Sequence, residues 1–289
     1  MPDLSNITVV EEILRRHGFR FSKSLGQNFI VNPDLCPRIA EESGIGPGVC
    51  ALEIGPGIGV LTKELALRGE KVVAVELDDS LLPVLKETLA EFSNVTVISG
   101  DALRLNLQKL VKEQFGDKPF VVCANLPYYI TSSVIVKLLE EKAGGSGITV
   151  MVQKEAAGRL ETVPGSRDGN ATTAVIHYYS EPKTLFSVPR SDFVPSPNVD
   201  SAVMRFSIRE KPPVAVDNEK FFFKVVKAAF GQRRKTLSNA LSAGLGMTKE
   251  ELLPVFAACG LSETARAETL TLSDFANLAK ALGNPVGKP

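Results

Sequence analysis

The segment Asn125-Leu126-Pro127-Tyr128 combines residue types suited to gripping a planar base that carries an exocyclic amine. Asn supplies an acceptor oxygen, Pro leaves a carbonyl without adding a donor, and Tyr offers a stacking face. The segment follows Phe120-Val121-Val122-Cys123-Ala124, an apolar run that reads as a buried strand bounded by turn chemistry. Ligands of open α/β sheets bind outside the carboxyl ends of the strands. An amide, two backbone carbonyls and an aromatic ring are therefore expected at such an end. The same four residues also suit a plain strand-ending turn, since Asn and Pro are common turn formers.

Three further strand ends bear on that choice. Glu53-Ile54-Gly55-Pro56-Gly57-Ile58-Gly59 joins a predicted strand to a predicted helix. Glycines there let the backbone approach a ligand and point amides into the crevice. Nicotinamide and flavin sites use similar loops, but their spacing is Gly-x-Gly-x-x-Gly, and this one is Gly-x-Gly-x-Gly. Glu53 would repel a pyrophosphate and favour a ligand with a cationic centre, such as S-adenosylmethionine. Glu76 ends the next strand, about 20 residues on, where an acid can take both hydroxyls of a ribose. Asp101, after the third strand, can accept from an adenine amine, or can serve as a helix N-cap. Gly55, Glu76 and Asp101 together fit an adenosyl ligand, and Asn125 would face its reactive end.

The elements that must position these residues follow from hydrophobic period. Val49 to Ile54, Val72 to Leu77, Val95 to Ile98, Phe120 to Ala124 and Ile148 to Val152 read as strands. Helical patterns run from about Leu61 to Arg68 and from about Asp79 to Glu91. This alternation predicts a parallel, doubly wound sheet. His177-Tyr178-Tyr179 and Ser201 to Phe206 read as two further strands, a final hairpin with an antiparallel strand. Lys211-Pro212-Pro213 breaks the pattern and marks a boundary, with one domain over 1–211 and a second over 212–289. Beyond it, Phe221 to Leu241 reads as one long helical pattern, with shorter ones over Thr248 to Cys259 and Ser273 to Leu282. The stretch to about Pro33 reads as a helix followed by an irregular segment.

Composition narrows the function classes. The 289 residues carry a formal net charge of zero and are 44% apolar. The chain has ample core and is no polycation, so any nucleic-acid contact must come from local basic patches. Cys36, Cys50, Cys123 and Cys259 form no CxxC pair and have no His at metal spacing. They read as buried small hydrophobes of a reducing compartment, and no metal is expected. Neither a signal peptide nor a run of about 20 apolar residues is present. A cytoplasmic location is the expectation.

At this point the residues converge. The chain resembles the S-adenosylmethionine-dependent rRNA adenine N6-dimethyltransferases, and within them the small-subunit (16S) enzymes. The matching pieces are Ser24-Leu25-Gly26-Gln27-Asn28-Phe29, Glu53 to Gly59, Asn125 to Ile130, Val152-Gln153-Lys154-Glu155, Phe193-Val194-Pro195-Ser196-Pro197 and Phe230-Gly231-Gln232-Arg233-Arg234-Lys235-Thr236-Leu237. The resemblance implies a Rossmann-like methyltransferase fold, a mostly parallel seven-stranded sheet with an antiparallel hairpin, plus a small all-α C-terminal domain that recognises RNA. It implies that Asn28 and Ile30 join Gly55, Glu76, Asp101 and Asn125 in holding the methyl donor. It also implies that Tyr128 and Phe193 sandwich the target adenine. One departure stands out. The family usually carries Tyr-Gly-x-Leu-Ser after the Lys-Glu helix, and this chain reads Gly169-Asn170-Ala171-Thr172-Thr173.

Methyl transfer from a sulfonium needs no covalent enzyme intermediate. The obstacle is the N6 lone pair, which is delocalised into the adenine ring. Asn125 Oδ1 and the Leu126 carbonyl could accept the two N6 hydrogens and aim that lone pair, with Pro127 shaping the turn. Such alignment can contribute about 7–11 kcal/mol, and fixed acceptors stabilise positive charge growing on N6. His17 and His177 need no catalytic role. Stacking on Tyr128 and Phe193 would hold an extruded base by roughly 1–3 kcal/mol, and extrusion costs least from a loop. Arg15, Arg16, Arg20 and Lys23, and then Lys224, Lys227, Arg233, Arg234 and Lys235, form basic clusters that are either solvated faces or salt-sensitive phosphate contacts. The substrate expected from the resemblance is a pair of adjacent adenosines near the 3′ end of small-subunit RNA, methylated late in subunit assembly by a monomeric enzyme. Its rivals are a large-subunit (23S) dimethylase of the macrolide-resistance type, a non-catalytic RNA-binding factor and a nicotinamide oxidoreductase. The segment Gly231 to Leu237 speaks against the first, intact Asn125 and Tyr128 against the second, and the loop spacing against the third.

Overall fold

A computed structural model describes residues 3–4, 6–19, 28–232 and 234–283. The elements in chain order are α1 (Ile7–Arg16), β1 (Phe29–Ile30), α2 (Leu35–Ser43), β2 (Cys50–Ile54), α3 (Val60–Arg68), β3 (Val72–Glu76), α4 (Leu82–Thr88), β4 (Val95–Ser99), α5 (Leu107–Phe115), β5 (Phe120–Asn125), α6 (Tyr128–Glu140), β6 (Gly147–Gln153) and α7 (Lys154–Glu161). They continue with α8 (Ala171–Tyr179), β7 (Ser180–Val188), β8 (Phe193–Val194), β9 (Ser201–Ile208), α9 (Glu219–Phe230), α10 (Leu237–Leu245), α11 (Lys249–Cys259) and α12 (Leu272–Gly283). The chain divides into two compact units. One comprises Met1–Gly158 with Ser180–Ile208, the other Arg159–Tyr179 with Arg209–Pro289. The division expected at 211/212 lies just past the end of β9. The structure in addition groups 159–179 with the C-terminal helices.

The first unit is built on a seven-stranded sheet of order β4-β3-β2-β5-β6-β9-β7. β2 and β3 are buried at every position, which is why they read as unbroken apolar runs: a parallel strand is covered on both faces. β4 to β6 run parallel in one block, and β9 enters antiparallel between β6 and β7. From β2 the chain winds outward through β3 to β4, then returns to β5 on the other side of β2. That reversal opens a crevice between the carboxyl ends of β2 and β5, where Ile54 pairs with Ala124. Ile39, Leu61 and Leu65 cover the sheet with Val121 and Met151. Ile13 and Leu14 of α1 pack with Val84 and Leu85 of α4, and Ile58 roots the glycine loop in the same cluster.

The second unit is helical among its described residues. Two expectations are corrected here. His177-Tyr178-Tyr179 is not a strand but the last turn of α8, and the strand that follows is Ser180–Val188. The helix is fixed at its start by Asn170 and Thr173: the Thr173 amide donates to Asn170 Oδ1 at 3.1 Å, and the Asn170 amide to Thr173 Oγ1 at 3.0 Å. At its end Tyr178 packs against Phe222 and Phe223, with ring centroids 5.2 and 5.1 Å away. Aromatic residues that suit a strand are here claimed by a helix interface. The reciprocal cap also gives the atypical Gly169-to-Thr173 segment a structural role.

The second correction concerns Phe221 to Leu241, which is two helices. α9 is capped by Asn218, whose side chain accepts from the Phe221 amide, and ends at Phe230. α10 begins at Leu237. A Cβ added to Gly244 would lie 2.6 Å from the Ala228 Cβ, so α10 lies backbone-close against α9, a contact that one continuous helix could not make. Arg234 and Lys235 therefore sit exposed in the connection rather than on a helix face, and Arg233 lies outside the described residues. Thr248 caps α11 in a full capping box with Glu251.

Candidate active site

A single cleft of the first unit is lined by Asn28, Ile30, Gly55, Glu76, Asp101, Asn125, Leu126, Pro127, Tyr128 and Phe193. Ten residues singled out from sequence thus meet in one place. They come from six separate segments of the chain. Gly55 and Gly57 follow β2 with φ of 73° and 60°, the left-handed region open to glycine. A Cβ on Gly55 would stand 3.3 Å from Leu126 Cδ2, so the two strand ends touch through this glycine.

Glu76 closes β3 and is 6% exposed. The Gly57 amide donates to its Oε2 at 3.2 Å and the Asp78 amide to its Oε1 at 2.9 Å. Both oxygens are held in place, and each keeps a lone pair for a ligand hydroxyl. Burial, the largest effect, raises its carboxyl above the usual range, while these amides pull it back down. Asp101 follows β4 and accepts from the Leu103 amide at 2.9 Å. It shapes a turn and caps no helix.

Asn125 is the last residue of β5 and Tyr128 the first of α6. The Tyr128 hydroxyl lies 2.8 Å from Ser201 Oγ, where β9 begins, which fixes the direction of the ring. The Pro127 carbonyl is engaged within the helix start, accepting from the Ile130 amide and the Thr131 hydroxyl at 3.1 Å each. Of the two carbonyls expected to face a ligand, that of Pro127 is therefore committed to the fold. Phe193, buried, belongs to β8, which pairs with β1: Ile30 opposes Phe193 and Phe29 opposes Val194. The pair is tied further by the Asn32 side chain, which donates to Asp192 Oδ2 at 2.8 Å.

Sequence reasoning missed two groups. Leu77 and Leu103 line the cleft while 50% and 36% exposed. The available signal was a large apolar residue just after Glu76 and just after the Asp101-Ala102 pair, in turns that would ordinarily be polar. The second group is the β1–β8 pair with Ser201, which sets the two aromatic rings. Of the residues read as structural, His17 Nε2 pairs with Glu87 Oε2 at 2.6 Å. Cys36, Cys50 and Cys123 are buried, Cys259 is half-buried, and all are free thiols. Arg16 pairs with Glu87, while Arg20 and Lys23 lie outside the described residues, as do Ser24 to Gln27. Among the described residues no helix is long and apolar enough to cross a membrane.

The cleft accommodates an adenosyl ligand on its own chemistry: a glycine cradle, a positioned acid for a ribose, a second acid at the next strand end, and apolar side chains beside both. Solved structures share the fold. The 23S rRNA methyltransferase ErmE is 25% identical, with a TM-score of 0.64 over 89% of this chain and 100% of its own. A dimethyladenosine transferase from Plasmodium falciparum, 23% identical, gives 0.70 over 89% of this chain and 98% of its own. The fold is that of a Rossmann-like S-adenosylmethionine-dependent methyltransferase. Within that class, the family model for ribosomal RNA adenine dimethylase matches residues 18–283, and the chain belongs to that family. A curated relative, ribosomal RNA small subunit methyltransferase A of Alkaliphilus oremlandii, is 46% identical over 283 residues, 98% of this chain and 99% of its own.

Proposed function

We propose that this chain dimethylates N6 of two adjacent adenosines in a hairpin loop near the 3′ end of 16S rRNA, using S-adenosylmethionine, during small-subunit assembly. The observation that carries the reading is the meeting of Asn125-Leu126-Pro127-Tyr128 with Gly55, Glu76 and Asp101 in one cleft. The small-subunit target is supported by the name of the 46% identical relative and by the segment Gly231 to Leu237. The likeness to ErmE keeps a 23S target as the competing reading.

In this reading S-adenosylmethionine supplies an electrophilic methyl on a sulfonium. Asn28, Ile30 and Gly55 hold it through backbone and packing, Glu76 takes the ribose hydroxyls, and Asp101 takes the purine amine. Leu77 and Leu103 flank the purine ring. Asn125 Oδ1 and the Leu126 carbonyl accept the N6 hydrogens of the target base. Tyr128 and Phe193 hold that base between their rings. Exposed Lys224, Lys227, Arg234 and Lys235, with Arg233, contact phosphates, which makes binding weaken with salt.

Labelled S-adenosylmethionine offered with unmethylated small subunits, large subunits and duplex DNA is expected to place N6-dimethyladenosine in small-subunit RNA alone. Label confined to large-subunit RNA, or monomethyl product only, would overturn the assignment. A second expectation concerns the cradle. Gly55→Ala forces a side chain into a left-handed conformation at about 1–2 kcal/mol and presses on Leu126. That strain is present with and without donor and shows as lost stability; donor affinity, read by calorimetry, should fall as well, because the added methyl stands in the loop a ligand must approach. Unchanged affinity would mean that no ligand approaches this loop.

A further inference from the structure

Glu53 is a buried acid that the fold leaves unmatched. It is 1% exposed, sits one residue before the end of β2, and lines the cleft. Its Oε2 is sealed from solvent and has no hydrogen-bond partner. Buried carboxylates are normally paired or hydrogen-bonded, because an isolated buried charge is costly.

The groups that act directly on Glu53 include no cation; Arg205 of β9 acts on the neighbouring Cys123 thiol instead. Those groups are Glu76 from β3, the Cys123 thiol from β5, the Cys36 thiol from α2 and the Thr62 hydroxyl from α3. Glu64 of α3 adds a further acid beside Cys36. Burial drives both thiols up, Cys123 to about 12, so they stay neutral. The Thr62 hydroxyl, the second-largest influence, stands near enough to lower the Glu53 carboxyl, although the two do not reach hydrogen-bond geometry. Burial above all, reinforced by Glu76, pushes Glu53 up to about 8. The carboxyl is therefore neutral without a partner, and the open side from which a charge could reach its ionised form is the cleft it lines.

Taking the cleft as the donor site of the proposed function, we propose that Glu53 is a proton-linked counter-ion for the methyl donor: it releases one proton when the sulfonium donor binds and recovers one once the methyl has left and the sulfur is neutral. The only bond made or broken at Glu53 is its O–H, and the proton exchanges with solvent. A positive charge close to a buried carboxyl favours the ionised form. Removal of the sulfonium charge by transfer removes that bias. Glu53 is thus a positioning residue that distinguishes donor from spent product.

The sign follows from linkage. Donor-free protein keeps the proton up to about pH 8, and donor-bound protein loses it lower. Donor affinity therefore rises with pH, by close to tenfold per unit, and levels off above that point. The useful window is pH 6 to 7, below the titration of the donor's own amine at about 7.7–8.0.

The test is calorimetric titration of the full chain with S-adenosylmethionine and, separately, S-adenosylhomocysteine, in buffers of different ionisation enthalpy. The donor should release close to one proton at pH 6.5 and bind about tenfold tighter at pH 7 than at pH 6. The demethylated product should release almost none and change affinity by less than about twofold. Glu53→Gln should abolish both the proton release and the pH slope. Donor binding without proton release in the unaltered protein would overturn the inference, whether or not the variant folds. So would equal release with the product, or release retained in a folded Glu53→Gln protein, which would place the proton on Glu76. Failure of the donor-site reading looks different: no donor binding at any pH.

Discussion

Asn125→Ala is expected to lower kcat by about 10²–10³-fold, or about 2.7–4 kcal/mol, the range seen when one fixed polar group facing developing charge is removed. The reason is positional. Asn125 ends β5 beside Ile54 and Gly55, at the reversal of strand order, so its amide is held by the sheet rather than by a loop. Alanine removes the acceptor that aims the N6 lone pair and meets the charge forming there. It removes little that holds the donor, which also rests on Gly55, Glu76 and Asp101. Donor affinity by calorimetry should therefore change far less than turnover. Single-turnover kinetics on small subunits would separate the two, and turnover that survived would refute the N6 geometry.

Glu53→Gln is expected to stabilise the donor-free protein at pH 8 relative to pH 4.5. The folded protein raises this carboxyl from 4.5 to about 8. An acid raised on folding binds its proton more tightly in the folded state, so its cost is nil below the unfolded value, grows as pH rises through the window and is complete above about 8. At about 1.36 kcal/mol per unit, less the half-titrated ends, the unaltered chain should lose about 4 kcal/mol between pH 4.5 and 8 that the neutral variant keeps. This is a large share of the 5–15 kcal/mol typical of a folded protein. Urea melts of both proteins at pH 4.5, 6 and 8, without donor, measure it. Parallel pH curves for the two would show that Glu53 is already ionised and partnered in the folded chain.

Strands that end at Ile54, Glu76 and Asn125 are legible, because buried parallel strands are continuous apolar runs closed by polar or glycine residues, and the half-exposed edge strand that ends at Ser99 is legible by its β-branched residues. The parallel winding order then places those ends side by side. Regions that depend on a partner elsewhere were read less well. His177 to Tyr179 has aromatic content that suits a strand, yet Phe222 and Phe223 recruit it to a helix. Phe221 to Leu241 keeps a helical period across Gly231 to Thr236, although the chain turns there so that Gly244 can meet Ala228.

The sequence by itself determined which residue types stand at each strand end, and so which ligand chemistry the cleft can serve. Local period and turn residues encode those positions without reference to distant contacts. Tertiary structure alone decided two things. It joined Ile30 to Phe193 through strands of two residues each, too short to carry any periodic signal. It also surrounded Glu53 with a second acid, two thiols and a hydroxyl, with Arg205 acting on Cys123 rather than on Glu53, because burial and partnering belong to the packed neighbourhood and not to the residue.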